Sequence, residues 1–247
     1  MTHLVGILNV TPDSFSDGGL FLDKVKALKQ AKQLLQDGAS LVDVGAESTR
    51  PKATPLTSDQ EWSRLEPILK VMIPAYPGKI SLDSYHPETI KRAFVIGPVI
   101  VNDVTGMNNP RMIDTIIKLN ATCIISHLPQ LDIQSSHQQK PINNLEQVKS
   151  DLLEKAELLI KKGLSKDKII LDPGIGFGKT MKLNQELLKF AEHVRDYKVM
   201  IGYSRKRFLG EHRMKLKTNL LAGQIAIDSG AAYIRVHDVA GHRILLK

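Results

Sequence analysis

Eight short apolar runs, separated by stretches with helical periodicity, constrain this chain more than any other feature. They are LVGIL (4–8), LVDVG (41–45), KISLD (79–83), PVIVN (98–102), TCIIS (122–126), KIILD (168–172), KVMIG (198–202) and YIRVH (233–237). Near-continuous Val, Ile and Leu suit parallel strands covered on both faces. Between them lie DKVKALKQAKQLLQDG (23–38), LEQVKSDLLEKAELLIKKG (145–163) and TNLLAGQIAIDSG (218–230), each ending in the glycine that commonly stops a helix. Strand–helix alternation reads as repeated βαβ units. Eight strands and seven clear helices in 247 residues predict an α/β fold, a (β/α)₈ TIM barrel, with an open doubly wound sheet as the alternative. Residues 1–247 are expected to form a single barrel domain, and LPQLDIQSSHQQKPINN (128–144) reads as a long βα loop inside it.

The remaining bulk properties narrow the class. A chain that is 42% hydrophobic has ample material for a core. The one cysteine, Cys123, excludes an internal disulfide framework and fits a reducing compartment. No apolar run approaches the roughly 18 residues of a membrane span, and the N-terminal run lacks a basic leader, so a cytoplasmic protein without a membrane partner is expected. The net charge of +8 suits either anionic ligands or simply a basic surface that keeps the protein in solution. Few aromatics and scattered basic residues argue against nucleic acid.

Polar residues follow the strands with a consistent polarity. Asn9, Asp43, Asp83, Asn102 with Asp103, His127, Asp172, Ser204-Arg205-Lys206, and Arg235 with His237 sit at or near the C-terminal ends of successive strands. An isolated Asp or Asn there is commonly a helix N-cap. Eight such positions of mixed chemistry, which a barrel would gather on one rim, read instead as an active site. After the sixth strand comes DPGIGFGKT (172–180). Its spacing fits neither a phosphate-binding P-loop nor a dinucleotide fingerprint. It reads as a loop whose glycines let backbone approach a flat ligand, with Phe177 offering an apolar face. Cys123 is expected in the core, and His86, His137, His193, His212 and His242, which share no ligand spacing, on the surface.

The motifs GILNVTPDSFSDGG (6–19), ESTRP (47–51), LDPGIGFGK (171–179), SRK (204–206) and RVHDV (235–239) resemble those of the dihydropteroate synthase family, in the family's order along nearly the whole chain. The resemblance implies condensation of 6-hydroxymethyl-7,8-dihydropterin diphosphate with 4-aminobenzoate to 7,8-dihydropteroate, with release of pyrophosphate, in folate biosynthesis. Sulfonamides then occupy the aminobenzoate place. It implies Mg²⁺ held by Asn9 with help from Asp13, and diphosphate contacts from Asn9, Arg50, Arg235 and His237. Asp83, Asn102, Asp172 and Lys206 would hold the pterin, with Asp83, Lys206 and Asp43 as the catalytic group. Thr49, Arg50, Pro51, Phe177 and Ser204 would line the aminobenzoate side. Ser126, Ser84 and Tyr85 depart from the usual family residues. Only ten residues follow His237, so a shortened final helix is expected, near the region that usually forms a homodimer. A methyltetrahydrofolate-dependent methyltransferase also binds pterin in a barrel, but its substrate has no diphosphate for Asn9, Arg50, Arg235 and His237. A non-catalytic pterin-binding paralogue is the other alternative.

Overall fold

The computed structural model describes residues 1–10, 19–47, 54–129 and 141–246. Eight parallel strands close into a barrel in sequence order. They are β1 (His3–Asn9), β2 (Leu41–Gly45), β3 (Ile80–Asp83), β4 (Ile100–Asp103), β5 (Cys123–Ser126), β6 (Ile169–Asp172), β7 (Lys198–Gly202) and β8 (Tyr233–Val236). The barrel closes through β8, which pairs with β1 from His3↔Tyr233 to Gly6↔Val236. The open doubly wound sheet is thereby excluded.

The outer helices are α1 (Gly19–Gln36), α2 (Ser58–Ala75), α3 (Pro87–Ile96), α4 (Pro110–Leu119), α5 (Leu145–Lys161), α6 (Met181–Glu186), α7 (Leu216–Asp228) and α8 (Val239–His242). The final helix is short, as expected, at four residues. Gly38, Gly163 and Gly230, the glycines read as helix stops, all have positive φ. The caps are local: Thr57 forms a capping box with Gln60, and Asn109, Asn144, Thr180 and Asp238 cap α4, α5, α6 and α8. None of the strand-end residues Asp83, Asn102 and Asp172 caps a helix, so the capping explanation of these positions fails.

Alternation along each strand separates two environments. Outward residues such as Leu4, Leu8, Val42, Val44, Leu82, Val101, Ile125, Leu171, Val199, Ile201, Ile234 and Val236 join the main core under the helices. Cys123 lies in that core, with its thiol pushed up to about 12 by burial. Val5, Leu41, Ile124, Ile170 and Met200, backed by Ile100 and Tyr233, form a small apolar plug inside the barrel. Two residues further along four of the strands the inward positions turn polar: Asp43 after Leu41, Asn102 after Ile100, Asp172 after Ile170, Arg235 after Tyr233. The plug closes the barrel's floor and leaves a polar mouth above it. Among the described residues no helix is long and apolar enough to cross a membrane.

Candidate active site

Strand register sets the mouth's first layer. Asn9, Gly45, Asp83 and Asn102 are successive neighbours across β1 to β4. Gly45 leaves room there, since a Cβ in its place would press on Asp83 Cβ at 3.2 Å. Asn9 is exposed at the rim.

One step deeper lies Asp43, fully buried. It accepts from Ser81 Oγ at 2.6 Å, from Asn102 Nδ2 at 3.1 Å and from Arg235 Nε at 2.6 Å. Arg235 also donates through Nη2 to Asp83 at 2.9 Å. Asp43, expected in the catalytic group, thus has its oxygens occupied by Ser81, Asn102 and Arg235, and it orients the last two. With its amide nitrogen committed to Asp43, Asn102 turns its Oδ1 away, and that buried acceptor has no partner among the described residues. Burial and the neighbouring Asp43 charge push Asp83 up to about 7 against the pull of Arg235.

Across the mouth, β6 delivers Asp172. Its Oδ1 accepts from Gly174 N at 2.7 Å. Burial raises its pKa against the opposing charge of Lys206. Lys206 arrives from the turn after β7, where Arg205 adopts φ 61°. Its ammonium donates to Ile175 O at 2.5 Å and lies 5.2 Å from the centre of the Phe177 ring. Burial draws Lys206 down to about 8, against Asp172. Gly202 lies between them: a Cβ there would sit 3.7 Å from both Asp172 Oδ2 and Lys206 Nζ. The bare glycine keeps the floor of the mouth open.

The last strand adds His237, whose Nδ1 lies 3.0 Å from Ser204 Oγ. Ser204 is buried and its hydroxyl faces His237. The barrel thus gathers Asn9, Asp83, Asn102, Asp172, Phe177, Ser204, Lys206, Arg235 and His237 at one end. Asp13, Thr49, Arg50, Pro51 and His137 lie outside the described residues.

A second polar cluster borders the mouth, and sequence reasoning missed it. Glu47 accepts from Tyr85 Oη, from Leu56 N at 3.3 Å and from His86 Nε2 at 3.2 Å. Glu61, on α2 and fully buried, accepts from Ser84 Oγ at 2.8 Å. Against the cost of burial, hydrogen bonds from His86 and Tyr85 hold Glu47 below the usual carboxylate range, while burial lifts Glu61. Ligand atoms of Glu47, Glu61 and His86 lie within 4.8 Å of one another, so this group could hold a metal ion. His86 is therefore no surface histidine. Nor is His242, which is buried and donates from Nδ1 to Asp238 O at 2.5 Å. His193 and His212 are exposed, as expected. His127 turns toward α5, with Nε2 3.0 Å from Asp151, and burial and the Lys179 charge draw it down to about 4.

A pterin-binding enzyme family profile matches residues 5–237. Dihydropteroate synthase from Bacillus subtilis is 35% identical over 249 residues, covering 96% of this chain and 84% of that protein. The chain belongs to the dihydropteroate synthase family of pterin-binding enzymes. Structures of the family superpose closely on it. The Clostridium difficile dihydropteroate synthase, solved in the presence of pteroic acid, is 34% identical with a TM-score of 0.88, over 99% of this chain and 94% of that one. The Xanthomonas albilineans dihydropteroate synthase with 4-aminobenzoic acid is 31% identical with a TM-score of 0.89, over 99% and 91%.

Proposed function

We propose that this chain is a transferase that condenses 6-hydroxymethyl-7,8-dihydropterin diphosphate with 4-aminobenzoate, forming 7,8-dihydropteroate and pyrophosphate, and that residues 1–247 act as one pterin-binding domain. The observation that carries the substrate assignment is the unpaired Oδ1 of Asn102, buried beside Asp83 and across the mouth from Asp172. An aminopyrimidinone edge presents N–H donors, and a buried acceptor without one is costly, by about 1–3 kcal/mol. Asn102 Oδ1 and the Asp172 carboxylate supply acceptors of the required kind, with Lys206 beside them as a donor.

In this reading Arg235 and His237 face the diphosphate, and Asn9 stands at the adjoining rim. Loss of pyrophosphate breaks the methylene C–O bond, the electron pair leaving with the diphosphate oxygen. The carbon left behind carries positive charge, which the Asp83 carboxylate favours. The aminobenzoate nitrogen forms the new C–N bond and releases a proton to water. No side chain serves as a covalent nucleophile. Phe177 and Ser204 line the aminobenzoate side, together with Thr49, Arg50 and Pro51 of the ESTRP segment. A sulfonamide would compete there.

Mg²⁺ fits this rim better than a protein-only cage. Asn9 offers one exposed neutral oxygen, Asp13 a nearby carboxylate in sequence, and Mg²⁺ is commonly held by one or two protein oxygens with substrate phosphates and water. When bound, it offsets charge on the departing pyrophosphate.

The chain is further proposed to act as a cytoplasmic homodimer. Leu221 and Ile225, four apart on one face of α7, are both exposed, an apolar pair suited to a second copy. Calorimetry tests the pterin assignment: Asn102→Ala should weaken binding of the pterin diphosphate by about 1–3 kcal/mol. Unchanged affinity would remove Asn102 from the pocket.

A further inference from the structure

Lys179 is the one residue of LDPGIGFGK that is charged, buried and without a part in the chemistry above. Its side chain is 8% exposed. No carboxylate among the described residues lies in ion-pair range of it. Its ammonium points instead at three backbone carbonyls: His127 O at 3.1 Å, Gly174 O at 2.9 Å and Phe177 O at 3.0 Å. Burial draws this ammonium down to about 7 against the pull of Asp172; in the protonated form it has three donors, and all three are committed.

The three acceptors lie on different parts of the mouth. His127 ends the β5 side. Gly174 opens the β6 loop, and its amide holds Asp172 Oδ1. Phe177 is the loop's aromatic tip. Gly174 has φ 63°, and any Cβ there would collide with the His127 carbonyl oxygen, so the loop lies directly on the β5 end. Two carbonyl dipoles brought together in this way repel, and the Lys179 charge between them offsets the repulsion. Asn184 on α6 braces the loop from the other side, accepting from Gly176 N at 2.7 Å and donating to Lys179 O at 3.2 Å. Lys206 touches the same loop on its ligand face, at Ile175 O. The loop is therefore gripped by one lysine in front and one behind, and only the front one borders the mouth.

We propose that Lys179 is a positioning residue that sets both substrate subsites at once, fixing Asp172 through Gly174 and Phe177 through its own carbonyl. This rests on the assignment of Asp172 to the pterin and Phe177 to the aminobenzoate. Asp172→Asn and Phe177→Ala test that assignment separately, each raising the KM of its own substrate alone.

The test is Lys179→Met, which keeps length and removes all three donors, in the full chain with Mg²⁺ and both substrates. The KM for each substrate should rise about tenfold or more, as expected when several buried carbonyls lose their donor, while kcat at saturation stays within about threefold. Leu159→Ala, a core truncation on α5 remote from the mouth, serves as the stability control and should leave both KM values unchanged. Wild-type KM values in a folded Lys179→Met protein would overturn the proposal. So would a rise in only one KM, or an equal rise in the Leu159→Ala control. If Lys179→Met does not fold, Lys179→Gln, with two N–H donors, is read by the same criteria. Failure of that variant to fold would make Lys179 a general stability residue and overturn the proposal as well.

Discussion

Arg235 joins Asp43 to Asp83 across the inside of the barrel, its Nε 2.6 Å from the first and its Nη2 2.9 Å from the second. The side chain spans from β8 to β2 and β3, passing the intervening β1. Asp43 has no exposed surface and serves three donors, from Ser81, Asn102 and Arg235. Asp43→Ala should therefore cost about 3–5 kcal/mol of stability, because it removes the buried acceptor that Ser81, Asn102 and the partly buried Arg235 share. Urea unfolding measures this directly, and a loss under about 1 kcal/mol would contradict the bridging role.

The same pair sets one limb of the pH profile. Asp83 is held up near about 7 by burial and by Asp43. Below that pH its carboxyl is neutral and no longer favours the cationic carbon, so kcat/KM should fall as pH drops through about 7. Lys206 is drawn down to about 8 by burial, so its charge is lost as pH rises through that value. The expected profile is a narrow bell, whose limbs are macroscopic values of the coupled site. Asp83→Asn should lower activity and remove the acid limb. An unchanged acid limb in that variant would assign it to another group.

Asp172→Asn keeps the shape of the side chain and exchanges an acceptor for a donor that would face a pterin N–H. Pterin binding should weaken by about 2–4 kcal/mol, the cost of unpaired buried groups beside a lost charge. Calorimetry with the pterin diphosphate reads this, and wild-type affinity would exclude the contact.

The barrel was legible in the sequence because the strands are near-continuous apolar runs at whose C-terminal ends polar residues gather, and closure then places those ends together. Asp83, Asn102, Asp172, Lys206 and Arg235 were located in this way. Their division of labour was not. Leu41-Val42-Asp43 and Ser81-Leu82-Asp83 look alike as text, yet register puts Asp43 one layer below Asp83. His242 looked like a surface residue because nothing local marks a histidine that the final helix turns inward beside Tyr203. The Glu47–His86–Glu61 cluster joins α2 to the ends of β2 and β3, with no periodic signal linking them. Lys179 contacts only backbone carbonyls, and these leave no trace in side-chain identity. What could have been read is the inward alternation itself: on β2, β4, β6 and β8 the inward residues run from apolar to polar, and those two layers are the floor and the mouth.

Excess chelator should abolish turnover, and binding should be ordered. In the proposed reading Arg235 and His237 meet the charge of the pterin diphosphate and Mg²⁺, and the aminobenzoate follows it into the site. Aminobenzoate, or a sulfonamide, should bind at least about tenfold more tightly with Mg²⁺ and pyrophosphate present than to the protein alone, a difference of about 1.4 kcal/mol. Full activity in chelator would refute the metal requirement, and equal affinity in both conditions would refute the order.

The most direct measurement is turnover by the purified protein given Mg²⁺, 6-hydroxymethyl-7,8-dihydropterin diphosphate and 4-aminobenzoate. Pyrophosphate and 7,8-dihydropteroate should appear in equal amounts, and only when both substrates are present. Pterin diphosphate that binds but yields no aminobenzoate-dependent pyrophosphate would contradict the proposed reaction and leave a pterin-binding protein without this activity.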